Sequence, residues 1–355
     1  MRNIVYSFML IIFLFLLFSN IRLLIAKGQK ENVLKEILTL NWGNDNGQIG
    51  YEKGYSKEKI ANSLGGHYGP SDFCIDKNEC IYIFDCYNNR VIKFKNQTLC
   101  RTYSYGHENG YYGSIHVDNN NNLYVIFNLP CKQKVFKYDS YGNILSDYLS
   151  TTSNTNLPSQ KIETDKEQNI YFLKYKEPYK EQTYVIKKIS KDKKYNKEFI
   201  IDKMIWDWSV NKDGIIYFLS RTKDDNYEMY FYNDNKLNQL FSLSKKHDRN
   251  CLSFFGIDDE NNLYFCEELR KLTSEKGKIP GVIVFDGDVI TVQQNSIIYK
   301  YNCEGKLLKT ITIDDPTPYD IKINSKGNIY LSPCLYSQAL LVAIIDKYRI
   351  YRCSF

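Results

Sequence analysis

Apolar and polar positions follow one another in a pattern that recurs six times along this chain. In each copy, an Asp or Asn is followed five residues later by Ile or Leu, and then at once by Tyr. The copies are Asp76…Ile81-Tyr82, Asp118…Leu123-Tyr124, Asp165…Ile170-Tyr171, Asn211…Ile216-Tyr217, Asp258…Leu263-Tyr264 and Asn324…Ile329-Tyr330. Successive tyrosines are 42 to 47 residues apart, except for a last interval of 66. A recurrence at this period predicts a repeat architecture.

Each copy predicts the same set of strands. Two apolar residues separated by one position, such as Phe73 and Ile75, precede the Asp or Asn and show the period of a β-strand. Turn-forming residues come next, and then a β-branched and aromatic strand such as 81–84. A third strand follows a polar connection, and Gly142 and Gly305 open hairpins into a fourth. Four strands in roughly 40–50 residues match one propeller blade.

Six copies predict an all-β, six-bladed β-propeller in which the blades run from about 66 to 355 of a domain that spans 32–355. A stacked β-solenoid is the alternative, but its period would be shorter. The last blade lacks an outer strand of its own, and the segment 33–42 is a strand candidate without a partner. We expect this N-terminal strand to close the last blade, because ring closure removes exposed strand edges.

The long last interval predicts an insertion in blade 5, at about 267–296, between its second and third strands. Its segments 282–285 and 289–292 flank Asp286-Gly287, a pair that favours the positive φ of a tight hairpin turn. We interpret the insertion as an extra hairpin. If it were a degenerate blade, the ring would have seven blades.

Blade 1 is the best copy of the repeat. It carries Gly69-Pro70-Ser71-Asp72-Phe73-Cys74-Ile75-Asp76, then Ile81-Tyr82-Ile83-Phe84-Asp85, then Asn88-Asn89-Arg90-Val91-Ile92-Lys93-Phe94. This pattern resembles an NHL-type repeat. Blade 2 departs from this pattern, because Phe127 replaces Asp85 and only Lys134 lies near the Arg90 position. The resemblance covers about 66–355 and implies a propeller of the broad NHL and lactonase-like group. That group contains protein-binding, RNA-binding and enzymatic members, so the fold does not choose among them.

Asp85 and Arg90 allow two interpretations, a functional site or a structural pair that fixes the connection between strands two and three. We favour the structural pair. The glycine-rich stretch 42–51 is not a dinucleotide fingerprint, because no helix follows its glycines. We interpret it as the loop from the closing strand to blade 1.

Residues 1–31 differ from the rest of the chain. Arg2 precedes an apolar run at 4–18 that only Ser7 interrupts, which is typical of a secretory signal peptide. The context for cleavage is poor, and no lipobox is present because the first cysteine is Cys74. Retention as a membrane anchor is the alternative, although the run is short for a span of about 20 residues. We therefore expect an extracytoplasmic protein, secreted or tethered to the membrane.

The formal net charge of +6 comes from a lysine-rich surface. Acidic residues interrupt the densest basic stretch, 187–203. We interpret this stretch as a solvated blade rim. Contact with anionic envelope polymers is the alternative. Nucleic-acid binding would require Arg and aromatic residues concentrated on one face. We expect no nucleic-acid partner.

The ten cysteines include no Cys-x-x-Cys, and their spacings match no zinc module. Disulfides are possible in an exported chain. Cys74 and Cys80 flank one hairpin turn in blade 1. Free buried thiols are the interpretation that we favour.

Alignment of the copies on their tyrosines gives two columns of residues on the innermost strands. Eight residues before the Tyr stand Cys74, His116, Glu163, Ser209, Gly256 and Lys322, and ten residues before it stand Asp72, Ser114, Lys161, Asp207, Phe254 and Asp320. Both columns have the parity opposite to the apolar pair, so we expect them to face the central channel. The predicted binding residues there are Asp72, His116, Glu163, Asp207 and Asp320.

Tyrosines in the loop between blades 1 and 2 extend this predicted binding surface. Tyr103, Tyr105, Tyr111 and Tyr112 surround His107. Tyrosine-rich loops make good recognition surfaces, and we therefore add Tyr111 and Tyr112 to the predicted binding residues. Packing of these tyrosines between blades is the alternative.

A metal site is the second hypothesis for the channel mouth. Asp72, Asp207 and Asp320 offer carboxylate oxygens suited to Ca²⁺. His67, His107 and His116 offer three imidazoles, which with one open position make a catalytic zinc site. Solvated or hydrogen-bonded histidines are the commoner outcome. No Gly-x-Ser-x-Gly motif is present, which argues against covalent hydrolase chemistry.

The sequence therefore favours a binding module over an enzyme. We expect a monomeric, exported ring that binds a protein, peptide or glycan without a cofactor. The alternative is a lyase or lactonase that depends on Ca²⁺ or Zn²⁺ at the channel mouth.

Overall fold

Six antiparallel sheets follow one another along the chain and form a ring, as the six sequence copies predict. The computed structural model describes residues 34–50, 70–105, 112–129, 132–151, 161–175, 184–224, 226–233, 236–243, 251–273, 282–285, 289–313, 318–333 and 347–353. The innermost strand of each blade contacts the innermost strands of the blades on either side, which closes the ring. Six blades are observed, and the fold prediction is confirmed.

The first four blades each contain four strands. Blade 1 consists of β2 (Asp72–Ile75), β3 (Ile81–Asp85), β4 (Arg90–Lys95) and β5 (Thr98–Ser104), with a short 3₁₀ turn at Cys86–Asn88. Blade 2 consists of β6 (Tyr112–Val117), β7 (Leu123–Leu129), β8 (Lys132–Tyr138) and β9 (Ile144–Thr151). Blade 3 consists of β10 (Ile162–Thr164), β11 (Ile170–Tyr175), β12 (Tyr184–Ile189) and β13 (Asn196–Ile201). Blade 4 consists of β14 (Ile205–Val210), β15 (Ile216–Arg221), β16 (Tyr227–Asn233) and β17 (Lys236–Leu243).

The last two blades depart from this plan. Blade 5 consists of β18 (Cys251–Ile257), β19 (Leu263–Thr273), β20 (Val282–Phe285), β21 (Val289–Tyr301) and β22 (Leu307–Ile313). Blade 6 consists of β23 (Pro318–Ile323), β24 (Ile329–Pro333), β25 (Lys347–Cys353) and the N-terminal strand β1 (Leu34–Asn41).

The N-terminal strand β1 is the outermost strand of blade 6. It pairs antiparallel with β25, from Leu34 opposite Cys353 to Asn41 opposite Lys347. Glu79 of blade 1 links blade 1 to blade 6, because it accepts hydrogen bonds of 3.2 Å from Asn328 and from Arg352 of blade 6. The structure thus confirms that the strand predicted at 33–42 closes the last blade.

The recurring Asp has a local structural cause, which blade 5 shows in full. Oδ1 of Asp258 accepts the backbone N–H groups of Glu260 and Asn262, at 3.0 and 2.9 Å, and so fixes the hairpin turn. Oδ2 of Asp258 accepts the hydroxyl of Tyr264 at 2.8 Å. The equivalent Asp–Tyr bonds occur in blades 1, 2 and 3. The fixed spacing between the Asp and the Tyr follows from these bonds.

A lysine on the third strand completes this arrangement wherever the recurring residue is Asp. Lys93, Lys137, Lys188 and Lys300 each stand opposite the motif tyrosine and place the ammonium group over its ring. In blades 4 and 6 the recurring residue is a neutral Asn, and the opposite positions hold Phe231 and Arg352. The lysine therefore accompanies the buried carboxylate, whereas Arg352 of blade 6 pairs with Glu79 of blade 1.

The hydrophobic core is divided among the six seams between neighbouring blades. Each seam holds its own cluster of buried apolar side chains. The cluster between blades 6 and 1 joins Leu38 and Ile350 to Phe73 and Ile83. Tyr103 and Tyr105 are buried in the cluster between blades 1 and 2, so these two tyrosines pack between blades.

The insertion in blade 5 adds length and one short strand to the sheet. β19 and β21 pair along their whole extent, from Leu263 opposite Tyr301 to Thr273 opposite Ile290. β20 pairs with the first part of β21 as the predicted hairpin, and β22 pairs with the later part of the same strand. The insertion is therefore an extension of blade 5 and no seventh blade.

Asp85 and Arg90 form a structural pair that also holds the N-terminal loop. Arg90 Nε lies 2.9 Å from Asp85 Oδ2, and the second oxygen, Oδ1, accepts the N–H of Gly50 at 3.0 Å. Arg90 Nη2 donates to the carbonyls of Asp45 and Gln48 at 3.0 and 2.8 Å. The structural interpretation of this pair is thus confirmed for both the connection and the loop.

Two predictions concern residues that the description covers only in part. Residues 1–31 lie outside it, and within it no helix has the length and apolar character to cross a membrane. The side chains of seven of the ten cysteines are described, namely Cys74, Cys80, Cys86, Cys100, Cys266, Cys303 and Cys353, and all seven are free thiols.

Candidate functional site

A cavity of about 1000 Å³ occupies the centre of the ring. Residues of the innermost strands of all six blades line it, and both aligned columns of the sequence contribute side chains to its wall. Among them are the five predicted channel residues Asp72, His116, Glu163, Asp207 and Asp320. Many of the lining residues are charged, and the charged residues of the two aligned columns fall into two groups.

The first group, which we call the seam cluster, consists of Asp72, Asp320 and Lys322. Lys322 Nζ lies 2.7 Å from Asp72 Oδ1 and 3.4 Å from Asp320 Oδ1. Asp72 also accepts two backbone N–H groups. Its Oδ1 accepts that of Phe73 on its own strand at 2.8 Å, and its Oδ2 accepts that of Ile115 on β6 of blade 2 at 2.9 Å. The seam cluster therefore links blades 6, 1 and 2 at the channel wall.

Two pKa values in the seam cluster are shifted. The pKa of Asp320 is raised to about 7, because burial and the charge of Asp72 together outweigh the opposing effect of Lys322. For Lys322, burial acts to lower the pKa, but the neighbouring Asp320 and Asp72 outweigh it and raise the pKa overall. The seam cluster thus contains a fixed ammonium group and a carboxyl group that changes its protonation near neutral pH.

The second group, which we call the three-blade cluster, consists of His116, Lys161, Glu163, Asp207 and Ser209. Lys161 Nζ lies 3.3 Å from Glu163 Oε1 and 3.6 Å from Asp207 Oδ1, and it donates to the carbonyl of Trp208 at 2.5 Å. Ser209 donates a hydrogen bond of 3.3 Å to Glu163 Oε1. The cluster spans blades 2, 3 and 4, and Lys161 stands between its two carboxylates.

His116 takes part in the three-blade cluster as a neutral imidazole. Burial lowers its pKa, although Glu163 and Asp118 act in the opposite direction. Its Nε2 is 2.8 Å from Thr164 Oγ1, and its Nδ1 is 3.8 Å from Glu163 Oε2. Burial also raises the pKa of Asp207, and Lys161 partly offsets that effect. Both groups are therefore held in a polar but poorly hydrated setting.

The residues of the metal hypothesis do not come together in the described part of the chain. No group of three His, Cys, Asp or Glu side chains there could hold a metal ion. Asp72 and Asp320 share Lys322 and Asp207 is near Lys161, so each carboxylate of the proposed calcium set has a lysine as its neighbour. These carboxylates do not fit a Ca²⁺ site. His67 and His107 of the proposed zinc set lie outside the described residues.

The predicted tyrosines are not tested. Tyr111 lies outside the described residues, and Tyr112 begins β6, but its side chain is outside the description.

The predicted binding residues did not include Lys161, Lys322 or Trp206, which also line the cavity. Lys161 stands in the same aligned column as its partner Asp207, whereas Lys322 and its partners Asp72 and Asp320 stand in different columns. A lysine among the carboxylates of these two columns is the signal for such ion pairs. Trp206 also lines the cavity, and 38% of it is exposed. Trp206 has the same parity as the apolar pair Trp208 and Val210, so the alternation carries no signal for its exposure.

The fold and channel define the chain as a six-bladed β-propeller with a charged, polar central cavity. No protein-family profile matches the chain, and neither does any curated protein. Its solved structural neighbours include a member of the DUF4221 family from Bacteroides vulgatus, 10% identical, with a TM-score of 0.53 over 91% of this chain and 98% of that chain.

Two further neighbours have lower TM-scores. Virginiamycin B lyase from Staphylococcus aureus is 10% identical, with a TM-score of 0.48 over 81% of this chain and 95% of that chain. Regucalcin, a calcium-binding protein from Agrobacterium tumefaciens, is 9% identical, with a TM-score of 0.46 over 81% of this chain and 90% of that chain. Identities this low show a shared fold alone.

Proposed function

We propose that this propeller is a binding module whose channel mouth takes a protein, peptide or glycan. The observation that carries the proposal is the pair of charged clusters on the wall of one cavity of about 1000 Å³. A ring held together only by its seams has no need of charged side chains in its centre, because their desolvation opposes folding. Polar groups that converge on a concave surface are typical of a ligand site.

Rigidity supports the same proposal. Asp72, Lys322, Lys161 and Glu163 are each held by contacts to a neighbouring blade or to a side chain in their own cluster. Side chains fixed before binding lose little conformational entropy when a ligand arrives. The inner strands would thus act as a preorganised platform.

Isosteric removal of charge from both clusters tests the proposal. The variant Asp207→Asn/Asp320→Asn alters the channel, and Asp192→Asn/Asp213→Asn makes the same chemical change outside the cavity. Libraries of synthetic peptides and of soluble oligosaccharides are screened by thermal shift and the hits measured by calorimetry. A ligand that binds wild type and the control variant but loses affinity for the channel variant supports the module. Equal binding to all three proteins, or no binding by either library, overturns it.

A lyase or lactonase is the second candidate, and Asp320 favours it. A carboxyl group with a pKa of about 7 in a channel is able to donate or accept a proton at neutral pH. Incubation of the protein with lactones, with and without added Ca²⁺ or Zn²⁺, tests this candidate. Turnover that Asp320→Asn abolishes supports it. Absence of turnover together with absence of stoichiometric metal in the purified protein rejects it.

We also propose that the ring acts outside the cytoplasm and that its blades are related to NHL repeats. The apolar segment at 4–18 supports export, and the blade 1 motif supports the kinship. Mass spectrometry of the mature N-terminus and fractionation of the producing cell test the location. A cytoplasmic protein that retains Met1 would contradict export.

A further inference from the structure

We infer that Trp206 is the stacking platform of a subsite for a neutral saccharide at the channel wall. The inference rests on the proposed binding function and narrows its ligand to one class. Trp206 lines the cavity next to Asp207 of the three-blade cluster. It is also one of the exposed large apolar side chains of the described residues, with 38% of its surface accessible.

A β-bulge explains why this aromatic residue is not buried in a seam. In the pairing of β14 with β15, Ile205 stands opposite Ser220 and Asp207 opposite Leu219, so Trp206 is the extra residue of the bulge. A bulge redirects a side chain out of the regular alternation and is frequent beside functional sites. The next tryptophan, Trp208, follows the alternation and is 3% exposed. The bulge in β14 therefore accounts for the exposure of Trp206.

The indole ring is held in place by its own blade. The guanidinium carbon of Arg221 lies 5.3 Å from the centre of the Trp206 ring, and the ring of Tyr227 meets it edge-on at 6.4 Å. Arg221 ends β15 and Tyr227 begins β16, and the two residues stand opposite each other in the sheet. An aromatic surface that is fixed and partly exposed offers contact area at small entropic cost.

The charges beside Trp206 favour a ligand without net charge. Lys161 is already paired with Glu163 and Asp207, and Lys322 with Asp72 and Asp320. A charged ligand would have to disrupt these pairs, and an anionic ligand would also meet the four carboxyl groups of the two clusters against their two ammonium groups. Hydroxyl groups donate and accept hydrogen bonds and so can use both signs of charge without separating them.

A saccharide combines the two properties that this wall requires. One face of a sugar ring consists of C–H groups, which pack on an aromatic ring, and its edge carries hydroxyl groups. Trp206 supplies the aromatic surface, and Asp207 and Lys161 supply the polar groups of the same cavity wall. A peptide would meet the same tryptophan, but its charged termini and side chains would compete with the existing ion pairs.

The test uses the full chain and a panel of linear oligosaccharides, each of five sugar units. The neutral members are built from glucose, mannose, xylose or N-acetylglucosamine, and a galacturonate pentamer provides the anionic comparison. Binding is measured by calorimetry and by tryptophan fluorescence. We expect a neutral pentamer to bind, Trp206→Ala to weaken binding roughly tenfold, and Trp206→Phe to retain most of the affinity. Tyr141→Ala, which removes a ring that is 73% exposed outside the cavity, serves as the control and should bind as wild type does.

The possible failures are distinguishable. If peptides but no neutral saccharide bind at the channel, the saccharide inference is wrong and the binding module stands. If a neutral saccharide binds and Trp206→Ala binds it equally well, the platform role is wrong. If only the galacturonate binds, the charge argument is wrong. If neither a saccharide nor a peptide binds, the module and the subsite are both rejected. Equal melting temperatures of Trp206→Ala and wild type show that a loss of binding is not a loss of fold.

Discussion

Lys322 of blade 6 and Asp72 of blade 1 form an ion pair of 2.7 Å across the seam at which the ring closes. Asp72 is 8% exposed and also accepts a backbone N–H of blade 2. One carboxylate therefore connects three blades. The seam between blades 6 and 1 is thus linked by an ion pair at the channel wall, while the pairing of β1 with β25 completes blade 6 at its rim.

Replacement of Lys322 should destabilise the ring more than replacement of a lysine in a hairpin turn. Lys322→Met leaves Asp72 and Asp320 without their cation, and we expect a loss of about 2 kcal/mol in the free energy of unfolding. Lys77→Met is the matched control, because Lys77 is exposed and contacts only a backbone carbonyl, that of Asn119, among its described contacts. Its cost should stay within about 0.5 kcal/mol. Urea unfolding measures the free energy of unfolding of both variants. Equal losses in the two variants would contradict the role of the seam cluster.

Asp320 should make stability depend on pH. Its pKa is about 7 in the folded protein and 3.8 in the unfolded chain, so between these values the folded state holds a proton that the unfolded state has released. Its contribution therefore lowers stability as the pH rises from about 4 to about 7 and changes no further above that range. Asp320→Asn should flatten this decline. Urea midpoints at pH 4.5 and 7.5 provide the comparison, and an unchanged slope in the variant would exclude Asp320 as its source.

The Tyr–Asp bond of the recurring motif should contribute measurably to stability in blade 5. Tyr264→Phe removes the hydroxyl that donates to Asp258, and we expect a loss of about 1 kcal/mol. Tyr217→Phe is the matched change in blade 4, where the hydrogen bonds of the described residues include none between Tyr217 and Asn211. Tyr217→Phe should lower the free energy of unfolding by clearly less than Tyr264→Phe does. Thermal unfolding of both variants tests the difference, which would vanish if the tyrosines acted only through packing.

Arg90 should be required for the loop that follows β1. Asp85 is fully buried, and Arg90→Met leaves its carboxylate without the guanidinium, at an expected cost of about 3 kcal/mol. The carbonyls of Asp45 and Gln48 also lose their donor, so limited proteolysis should cut the 42–50 loop faster. The double variant Asp85→Asn/Arg90→Met should recover part of the stability. A double variant as unstable as Arg90→Met would show that charge burial is not the cause.

The blade count and strand order could be predicted because their causes are local. The hydrogen bonds of Asp258 reach residues two, four and six positions away, so the motif is complete within one hairpin. Closure by the N-terminal strand was also predictable, since an unpaired strand at one end and a missing strand at the other leave few arrangements.

The grouping of the channel charges could not be predicted, because it depends on which blades become neighbours. Lys322 and Asp72 are 250 positions apart in sequence and meet only in the closed ring. The exposure of Trp206 depends on a bulge, which displaces the alternation by one residue and leaves no mark in a pattern of apolar positions. The spacing in sequence from the motif tyrosine identifies the residues of the channel wall. It does not show which of them form ion pairs.

The pairing of β1 with β25 also has a consequence for biosynthesis. β1 is among the first described segments to be made, and β25 is the last. Nearly the whole ring must therefore be translated before β1 gains its partner, and during that time its edge is open to pairing with another chain. A chaperone that delays premature contacts of β1 would favour correct assembly. Synthesis of β25, and not the folding of any single earlier blade, is the event that gives β1 its partner.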